Sequence, residues 1–354
     1  MIINTWEKIP VIIKNNPEIA MKKLLPLLLA AALLSAGPAR ADTTLLNVSY
    51  DVMRDFYKDY NPVFQKYWQG KAGEKITIQQ SHGGSSAQAR SVIEGLEADV
   101  ITMNQHSDID AVAQRGKQLP ENWASRLPNN AAPFTSLQVL IVRKGNPKGI
   151  KDFSDLIKPG IAVVIPNPKT AGNGRYTYLA AWGYALKQPG GNEQKARDFV
   201  SALFKNVPVL DTGGRGATTT FMQRNIGDVL VTFENEAEMI AREFGRGNFE
   251  VVYPSLSIEA ELPVSVVDKV VDKKGTRKQA EEYLKYLWSL EGQTVAAQNY
   301  LRPRDKAVAG KFASQFPAVK LFTVDEFGGW KAITPKHFAD GAIYDQIAAA
   351  NAKK

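Results

Sequence analysis

The chain has 354 residues, of which 44% are hydrophobic and 23% are charged, so it is long enough for two domain-sized cores and is neither disordered nor collagen-like in composition. It contains no cysteine, which excludes disulfides and thiolate metal sites. The formal net charge is +8, or +5 without residues 1–41, which hold five basic and two acidic residues. This field attracts small anions but is too dilute to indicate nucleic-acid binding.

Residues 21–41, MKKLLPLLLAAALLSAGPARA, combine two lysines, an apolar run from Leu24 to Leu34 and a small-x-small sequence ending at Ala41. These are the three parts of a secretory signal peptide. A retained anchor is disfavoured, because spanning a bilayer takes about 20 apolar residues. We therefore expect cleavage after Ala41 and a soluble protein of the periplasm. Residues 1–20 fit no part of a signal, and we interpret them as an upstream extension from too early a start codon.

The first part of the mature chain alternates strand and helix patterns. TLLNVSYD predicts a strand, and Phe56, Tyr60, Phe64 and Trp68 follow at helical spacing. KITIQQ is a second strand that runs into SHGGSSAQARSVIEGL, where small residues precede a predicted helix, and ADVITMN is a third strand. This β-α-β-α-β order predicts a doubly wound α/β lobe with a mainly parallel sheet.

The middle of the chain repeats the same order and predicts a second lobe of the same class. AVVIPNPK is a strand, TAGNG a turn and RYTYLAAWGYALK a helix. VPVLDTGGRGATTTFMQR and GDVLVTFENEAEMIAREF each predict strand, turn and helix. SLQVLIVRKGNPKG and ELPVSVVDKVV suit two crossover strands between the lobes, and the part from TRKQAEEYLKYLW onward is predicted to be helical. The bounds expected are 42–135 with 262–354 for lobe 1, including the C-terminal helices, and 136–261 for lobe 2.

Four turns at the carboxyl ends of predicted strands lead into helices. They are residues 49–51, 83–86, 171–174 and 213–216. The first N–H groups of a helix lack intrahelical partners and carry partial positive charge, so such turns predict anion sites. An open α/β sheet also binds its ligand at this edge. The simpler alternative is that Ser85, Thr170 or Asn173 only caps its helix.

Other readings of the sequence have weaker support. GNGRYT lacks the last glycine of a dinucleotide fingerprint, and the chain has no phosphate loop or nucleophile elbow. The three histidines, His82, His106 and His337, lack metal-site spacing, so we expect no metal and no cofactor. Chance accounts for the close carboxylate pairs, Asp108 with Asp110 and Glu234 with Glu236. Arg175 and Arg215 follow glycine-containing turns and are equally well explained as countercharge for an anion or as solvated side chains.

Eight motifs, in order along residues 45–346, resemble the periplasmic sulfate- and thiosulfate-binding proteins. They are LLNVSYD, QSHGGSS, LPNNAAPFTS, VRKGNPKGIKDF, NPKTAGNGRYTYLAAWG, DTGGRGATTTF, VVDKVVDKKGT, and FGGW with the following HFADGAIYDQI. The resemblance implies a two-lobed type II periplasmic binding protein, each lobe a doubly wound mixed sheet flanked by helices, which closes over one oxyanion. It also implies the membrane permease subunits of an ABC importer as partners; we further expect a monomer.

The resemblance assigns a role to individual positions. Sulfate binders hold the dianion with neutral donors, mostly backbone N–H groups, together with one serine hydroxyl and one tryptophan N–H. The backbone donors fall at Asp51, Ser85, Gly172, Asn173 and Gly214. The serine position is Ala171 and the tryptophan position is Phe233. The expected supporting residues are Ser49, Gly84, Asn104, Gln105, Arg175 and Arg215.

The two missing side-chain donors bear on the choice of ligand. A hydrogen bond to a charged group contributes about 1.5 to 3 kcal/mol, so two uncompensated losses would weaken binding by roughly 3 to 6 kcal/mol. Thiosulfate carries one sulfur in place of an oxygen, and this poor acceptor suits the apolar Ala171 and Phe233. TMNQ at 102–105 and the Ala171 region resemble the thiosulfate branch, whereas LLNVSYD and SHGGSS resemble the sulfate branch. We expect thiosulfate as the main ligand and sulfate as a second ligand. The alternative is a binding protein of the same family that prefers sulfate.

Two other classes of function compete with this reading. An exported enzyme could use the same anion sites for a phosphate or sulfate ester, but it would need a nucleophile or an acid/base pair that the sequence does not show. An exported adhesion or structural protein would show no response to anions. The sequence therefore favours a solute-binding protein without catalytic residues.

Overall fold

A computed structural model describes residues 42–352, which contain two mixed β-sheets. The predicted signal peptide and its cleavage site lie outside these residues. The first sheet has the strand order β10-β3-β1-β2, and the second has the order β12-β9-β4-β7-β5-β6, with β8 and β11 also paired to β4. The strands are β1 Thr43–Tyr50, β2 Ile76–Gly83, β3 Val100–Thr102, β4 Phe134–Arg143, β5 Val163–Pro166, β6 Leu210–Asp211, β7 Val229–Phe233, β8 Phe249–Val252, β9 Leu256–Glu261, β10 Val264–Val266, β11 Arg302–Pro303 and β12 Lys320–Phe322.

Helices cover both sheets. They are α1 Arg54–Ala72, α2 Ser85–Ile93, α3 His106–Gln114, α4 Gly172–Leu186, α5 Glu193–Lys205, α6 Gly214–Met222, α7 Glu234–Phe244, α8 Asp268–Lys274, α9 Arg277–Lys285, α10 Leu290–Gln298, α11 Lys306–Lys311, α12 Gly329–Ile333 and α13 Ile343–Ala352. Among the described residues, no helix has both the length and the apolar character to cross a membrane. We call each sheet with its helices a lobe. The predicted α/β class with two mixed sheets is confirmed.

The first lobe follows the predicted β-α-β-α-β order. β1 pairs in parallel with both β2 and β3, while β10 adds an antiparallel edge strand. The predicted apolar face of α1, at Phe56, Tyr60, Phe64 and Trp68, is buried in the core. Because parallel neighbours end at the same edge of a sheet, the ends of β1 and β2 bring residues 49–51 and 83–86 to that edge.

The second lobe is built around β4, which is buried along nearly its whole length. Burial along nearly the whole strand, which includes the polar Thr135, Ser136 and Gln138, is typical of a sheet covered on both faces. β5 runs parallel to β6 and β7, so their carboxyl ends carry the turns that lead into α4, α6 and α7. α4 is buried on almost all sides, since it is packed between the sheet and α5. This arrangement brings residues 171–174 and 213–216 to one edge of the second sheet.

The two predicted crossover segments contain β4 and β10. The chain leaves the first sheet before β4 and returns between β9, which ends at Glu261 in the second sheet, and β10, which begins at Val264 in the first. The exact bounds of the lobes stay a prediction. Part of the C-terminal segment, which we expect in lobe 1, contacts the second sheet and its helices: β12 pairs with β9, and α13 packs on α5.

The expectation of an entirely helical C-terminal part is wrong at two places. Residues 302–303 form β11 against β4, and residues 320–322 form β12 against β9. Strands of two or three residues are too short to show an alternating pattern, and they form because neighbouring strands offer unpaired backbone groups. These two strands therefore depend on pairing with strands that are distant in the sequence, and the sequence of the short segments themselves does not indicate it.

Candidate anion-binding site

The structure brings the four predicted turns together. A Cβ placed on Gly84 of the first lobe would lie 3.1 Å from the Thr170 carbonyl oxygen and 3.5 Å from that of Thr212. A Cβ on Gly213 would lie 2.9 Å from Asp51 Oδ2, and one on Gly214 would lie 3.4 Å from Asn173 Nδ2. The turns of the two lobes therefore surround one common point between the sheets.

Three helices begin at this point with free backbone donors. α2 begins at Ser85, α4 at Gly172 and α6 at Gly214. Among the described residues, the backbone N–H groups of Ser85, Gly172, Asn173 and Gly214 donate to no protein acceptor. The start of α4 lies three residues before the predicted one, so Gly172 and Asn173 belong to its first turn rather than to a preceding loop. Helix dipoles and free N–H groups at one place form a site suited to an anion.

The side chain of Asn173 fixes the first turn of α4. Its Oδ1 accepts from Gln138 Nε2 at 3.1 Å, and its Nδ2 donates to Thr232 Oγ1 at 2.8 Å and to Glu236 Oε2 at 3.1 Å. The cap residue Ala171 offers no side-chain hydrogen bond. Asn173 is therefore no helix cap: its side chain anchors the helix to the sheet and leaves its backbone N–H free.

The side chain of Ser85 is committed to another role. Its hydroxyl donates to Asp108 Oδ2 at 2.6 Å, and the hydroxyl of Ser86 donates to Asp108 Oδ1 at 2.9 Å. A hydroxyl has a single proton, so Ser85 can offer only its backbone N–H to an anion in this arrangement. Chance accounts for the spacing of Asp108 and Asp110 in the sequence, but the carboxylate of Asp108 is buried and holds the two serines at the start of α2.

Asn104 and Gln105, which we expect to support the site, lie beside these helix starts. Asn104 Oδ1 would be only 1.9 Å from a Cβ on Gly172, so only glycine allows this approach. The backbone N–H of Asn104 donates to Ser85 Oγ at 3.3 Å, and Gln105 Nε2 donates to Ser86 Oγ at 3.4 Å. Asn104 thus connects the start of α2 in the first lobe with the start of α4 in the second.

Ala171 and Phe233 give the site an apolar part. Ala171 precedes the first turn of α4 and is buried. Phe233 ends β7 directly before α7, and its fully buried ring packs edge to face against Tyr176 with centroids 5.7 Å apart. Neither side chain can donate a hydrogen bond. These two positions therefore contribute no side-chain donor.

Three of the expected supporting side chains have other partners. Arg215 Nη2 pairs with Glu243 Oε2 at 2.8 Å, and Arg175 Nε donates to the Pro168 carbonyl at 3.0 Å. Ser49 Oγ is hydrogen-bonded to His82 Nδ1 at 2.7 Å. Both arginines lie on the helices that begin at the site, but their guanidinium groups bind elsewhere, so any countercharge acts at a distance.

Two carboxyl groups near the site are unusual. Burial raises the pKa of Asp51, whose Oδ2 accepts from the Arg215 backbone N–H at 3.4 Å. Burial, and then the charge of Asp51, raise the pKa of the fully buried Glu236 well above its ordinary value. The sequence predicts no role for Glu236, because its spacing from Glu234 is common by chance.

The described residues show no group of three or more His, Asp or Glu side chains that could bind a metal ion. Burial, followed by the charge of Arg54, lowers the pKa of His82 to about 4, so the ring is neutral near neutral pH.

Two lobes with convergent helix starts define a solute-binding protein of the type II periplasmic class. A solved structure of the sulfate-binding protein SubI from Mycobacterium tuberculosis has the same fold, with a TM-score of 0.77 and 31% identity over 84% of this chain and 99% of that one. The model of the family described as bacterial extracellular solute-binding proteins matches residues 45–302.

Two similar proteins of known name indicate the group within this class of solute-binding proteins. The chain is 69% identical to a thiosulfate-binding protein of Pseudomonas aeruginosa over 92% of this chain and 98% of the relative. It is 57% identical to a sulfate-binding protein of Escherichia coli over 86% of this chain and 93% of the relative. The chain belongs to the bacterial extracellular solute-binding protein family and, within it, to the group of sulfate- and thiosulfate-binding proteins.

Proposed function

We propose that this protein captures thiosulfate, and sulfate as a second ligand, and delivers the anion to the membrane permease subunits of an ABC importer. The observation that carries the proposal is the meeting of four free N–H groups, those of Ser85, Gly172, Asn173 and Gly214, at three helix starts from two lobes. Each lobe supplies part of the donor set, so an anion that bridges them stabilises the closed form. The names of the two curated relatives support the same pair of ligands.

The preference for thiosulfate rests on Ala171 and Phe233. Both are buried at the site and neither can donate a hydrogen bond. The terminal sulfur of thiosulfate accepts hydrogen bonds poorly, so it loses little against these side chains, whereas a fourth sulfate oxygen would lose a partner. The relative at 69% identity is named as a thiosulfate-binding protein and the one at 57% as a sulfate-binding protein, so the relatives support both anions as ligands and the preference rests on the two side chains.

The proposal includes export and processing. The family is described as extracellular, which agrees with a signal peptide in residues 21–41 and a protein that works in the periplasm. We propose cleavage after Ala41, directly before β1, which begins at Thr43. We further propose that the mature protein acts as a monomer.

An enzymatic use of the site is less well supported. Ser49 and His82 form a hydrogen-bonded pair, but Ser49 is fully buried in β1, and among the described residues no carboxylate is bonded to the other nitrogen of His82. A nucleophilic serine needs both access to a substrate and an oriented base. The relatives are named as binding proteins, and we propose that this chain has no catalytic activity.

Titration calorimetry of the mature protein with thiosulfate, sulfate and hydrogen phosphate tests the proposal. We expect the first two anions to bind and hydrogen phosphate to bind more weakly, because its O–H is a donor and cannot accept from the free N–H groups of the helix starts. Tight phosphate binding would contradict the selectivity. Turnover of a sulfate or phosphate ester would favour the enzyme instead.

A further inference from the structure

Glu236 is a buried carboxyl group that the proposed amide site does not use. It is the third residue of α7 and has 0% of its surface exposed. The other ionisable groups that act on it are Tyr50 and Asp51 from the first lobe and Arg215 from α6. The Arg215 guanidinium is bound to Glu243, and among residues 42–352 no cation forms an ion pair with Glu236.

The hydrogen bonds of Glu236 distinguish its two oxygens. Oε2 accepts from Asn173 Nδ2 at 3.1 Å, whereas Oε1 is buried and has no partner among the described residues. In a neutral carboxylic acid one oxygen accepts and the other carries the proton. Since Oε2 is the acceptor, the O–H of a neutral Glu236 is at Oε1.

This free oxygen lies at the anion site. Oε1 would be 2.5 Å from a Cβ on Gly214, and Asn173 Nδ2 lies 3.4 Å from the same point. Oε1 therefore lies beside the first turn of α6, where the backbone N–H of Gly214 is free. Among the described residues an O–H at Oε1 has no acceptor, and a bound anion can supply one.

The surroundings of Glu236 favour its neutral form. Burial disfavours its charge, and the nearby Asp51 does the same. The amide of Asn173, the backbone N–H of Phe233 and the distant Arg215 act in the opposite direction but more weakly. A bound dianion would add two further negative charges beside the group and hold the proton more firmly.

We propose that Glu236 is an anion-binding residue that stays protonated in the closed site and donates a hydrogen bond from Oε1 to the bound oxyanion. This inference rests on the proposed function, since it needs an oxyanion ligand. The Glu236 O–H would provide one side-chain donor to a site in which Ala171 and Phe233 stand at the positions of two side-chain donors of the sulfate binders.

Three variants test the proposal by calorimetry with thiosulfate. Glu236→Gln keeps an acceptor for Asn173 and an N–H donor for the anion, so affinity should stay within about threefold of wild type. Glu236→Leu is neutral but has no donor, and affinity should fall about ten- to hundredfold. Glu238→Gln is the matched control on the same helix, because Glu238 pairs with Arg242 and Arg246 and lies outside the site. Its affinity should equal that of wild type.

Infrared difference spectroscopy separates donation from a merely structural role. Wild type minus Glu236→Gln should show the carbonyl band of a protonated carboxyl group, and thiosulfate should shift this band as the O–H gains an acceptor. An absent band, a band that thiosulfate leaves unmoved, or a Glu236→Leu variant that binds like wild type would overturn the inference. The proposed function fails separately, if wild type itself binds neither thiosulfate nor sulfate.

Discussion

Gly172 has the least room for a side chain among the glycines of the site, since a Cβ there would lie 1.9 Å from Asn104 Oδ1. We predict that Gly172→Ala displaces Asn104, lowers the free energy of unfolding by about 1 to 3 kcal/mol and weakens thiosulfate binding. Urea denaturation and calorimetry measure the two effects.

Two further variants make the Gly172 prediction specific. Asn104→Ala added to Gly172→Ala removes the collision and should recover most of the lost stability. Gly70→Ala is the matched control, because a Cβ on this glycine of α1 would meet nothing within 4 Å. This control should be neutral or stabilising by up to about 1 kcal/mol, since alanine is the better helix former. Equal losses in Gly70→Ala and Gly172→Ala would contradict the account.

His337 predicts an acid dependence of stability. Burial lowers its pKa from 6.5 to about 4, and its Nδ1 is hydrogen-bonded to the Tyr178 hydroxyl at 2.9 Å. The unfolded chain therefore binds a proton that the folded protein rejects between these two pH values, so the free energy of unfolding falls as pH drops from 6.5 to about 4. His337→Gln should show a shallower fall in urea denaturation across this window. An unchanged slope would contradict the assignment.

At the residue scale, sequence and resemblance indicate candidate backbone donors but not the side chains that contact the same helix starts. Ser85 and Gly214 stand in visible glycine-rich turns before helices. Asp108 and Glu236 carry no local signal, because their roles depend on Ser85 and Asn173, which are distant in sequence and brought close only by the fold. A carboxylate pair two residues apart gives no information about such partners.

At the element scale, the strand-turn-helix units were predictable because period-2 and period-3.6 patterns are long in this chain. The start of α4 was not, since glycine and asparagine are poor helix formers and together indicate a turn. The structure overrides this preference through the three hydrogen bonds of the Asn173 side chain. The last strands, β11 and β12, were missed because they are only two and three residues long.

The start of α7 depends on one buried ion pair. Glu234, the first residue of α7, is 1% exposed and accepts from Arg302 Nε at 2.7 Å and Nη2 at 2.8 Å. Removing one partner leaves an uncompensated buried charge, so Arg302→Met should lower the free energy of unfolding by about 3 to 5 kcal/mol. Urea denaturation measures the loss. Adding Glu234→Gln should recover part of it, and strict additivity of the two substitutions would contradict the pairing.

At the scale of the whole molecule, the proposed function depends on contact between the lobes. Gly84 of the first lobe faces the carbonyl of Thr170 in the second at a distance that leaves no room for a large side chain. We predict that Gly84→Val folds but cannot close. Small-angle scattering should show a smaller radius of gyration on adding thiosulfate to wild type and no decrease in Gly84→Val.

A surface glycine serves as the control for lobe closure. A Cβ on Gly247 would meet nothing within 4 Å, so Gly247→Val should close like wild type. Thermal unfolding provides a second readout, because thiosulfate at a hundred times its Kd should stabilise wild type by about 2.7 kcal/mol. Closure of Gly84→Val to the wild-type radius would contradict the predicted role of this contact.

In the proposed function, backbone amides at the starts of α2, α4 and α6 bind the anion. Amide proton chemical shifts, measured by NMR during a titration with thiosulfate, report on each of these N–H groups separately. We predict that the amide protons of Ser85, Gly172, Asn173 and Gly214 move downfield together as each N–H gains a charged acceptor. If calorimetry shows thiosulfate binding while these four resonances stay in place, the anion is held elsewhere and the account is wrong.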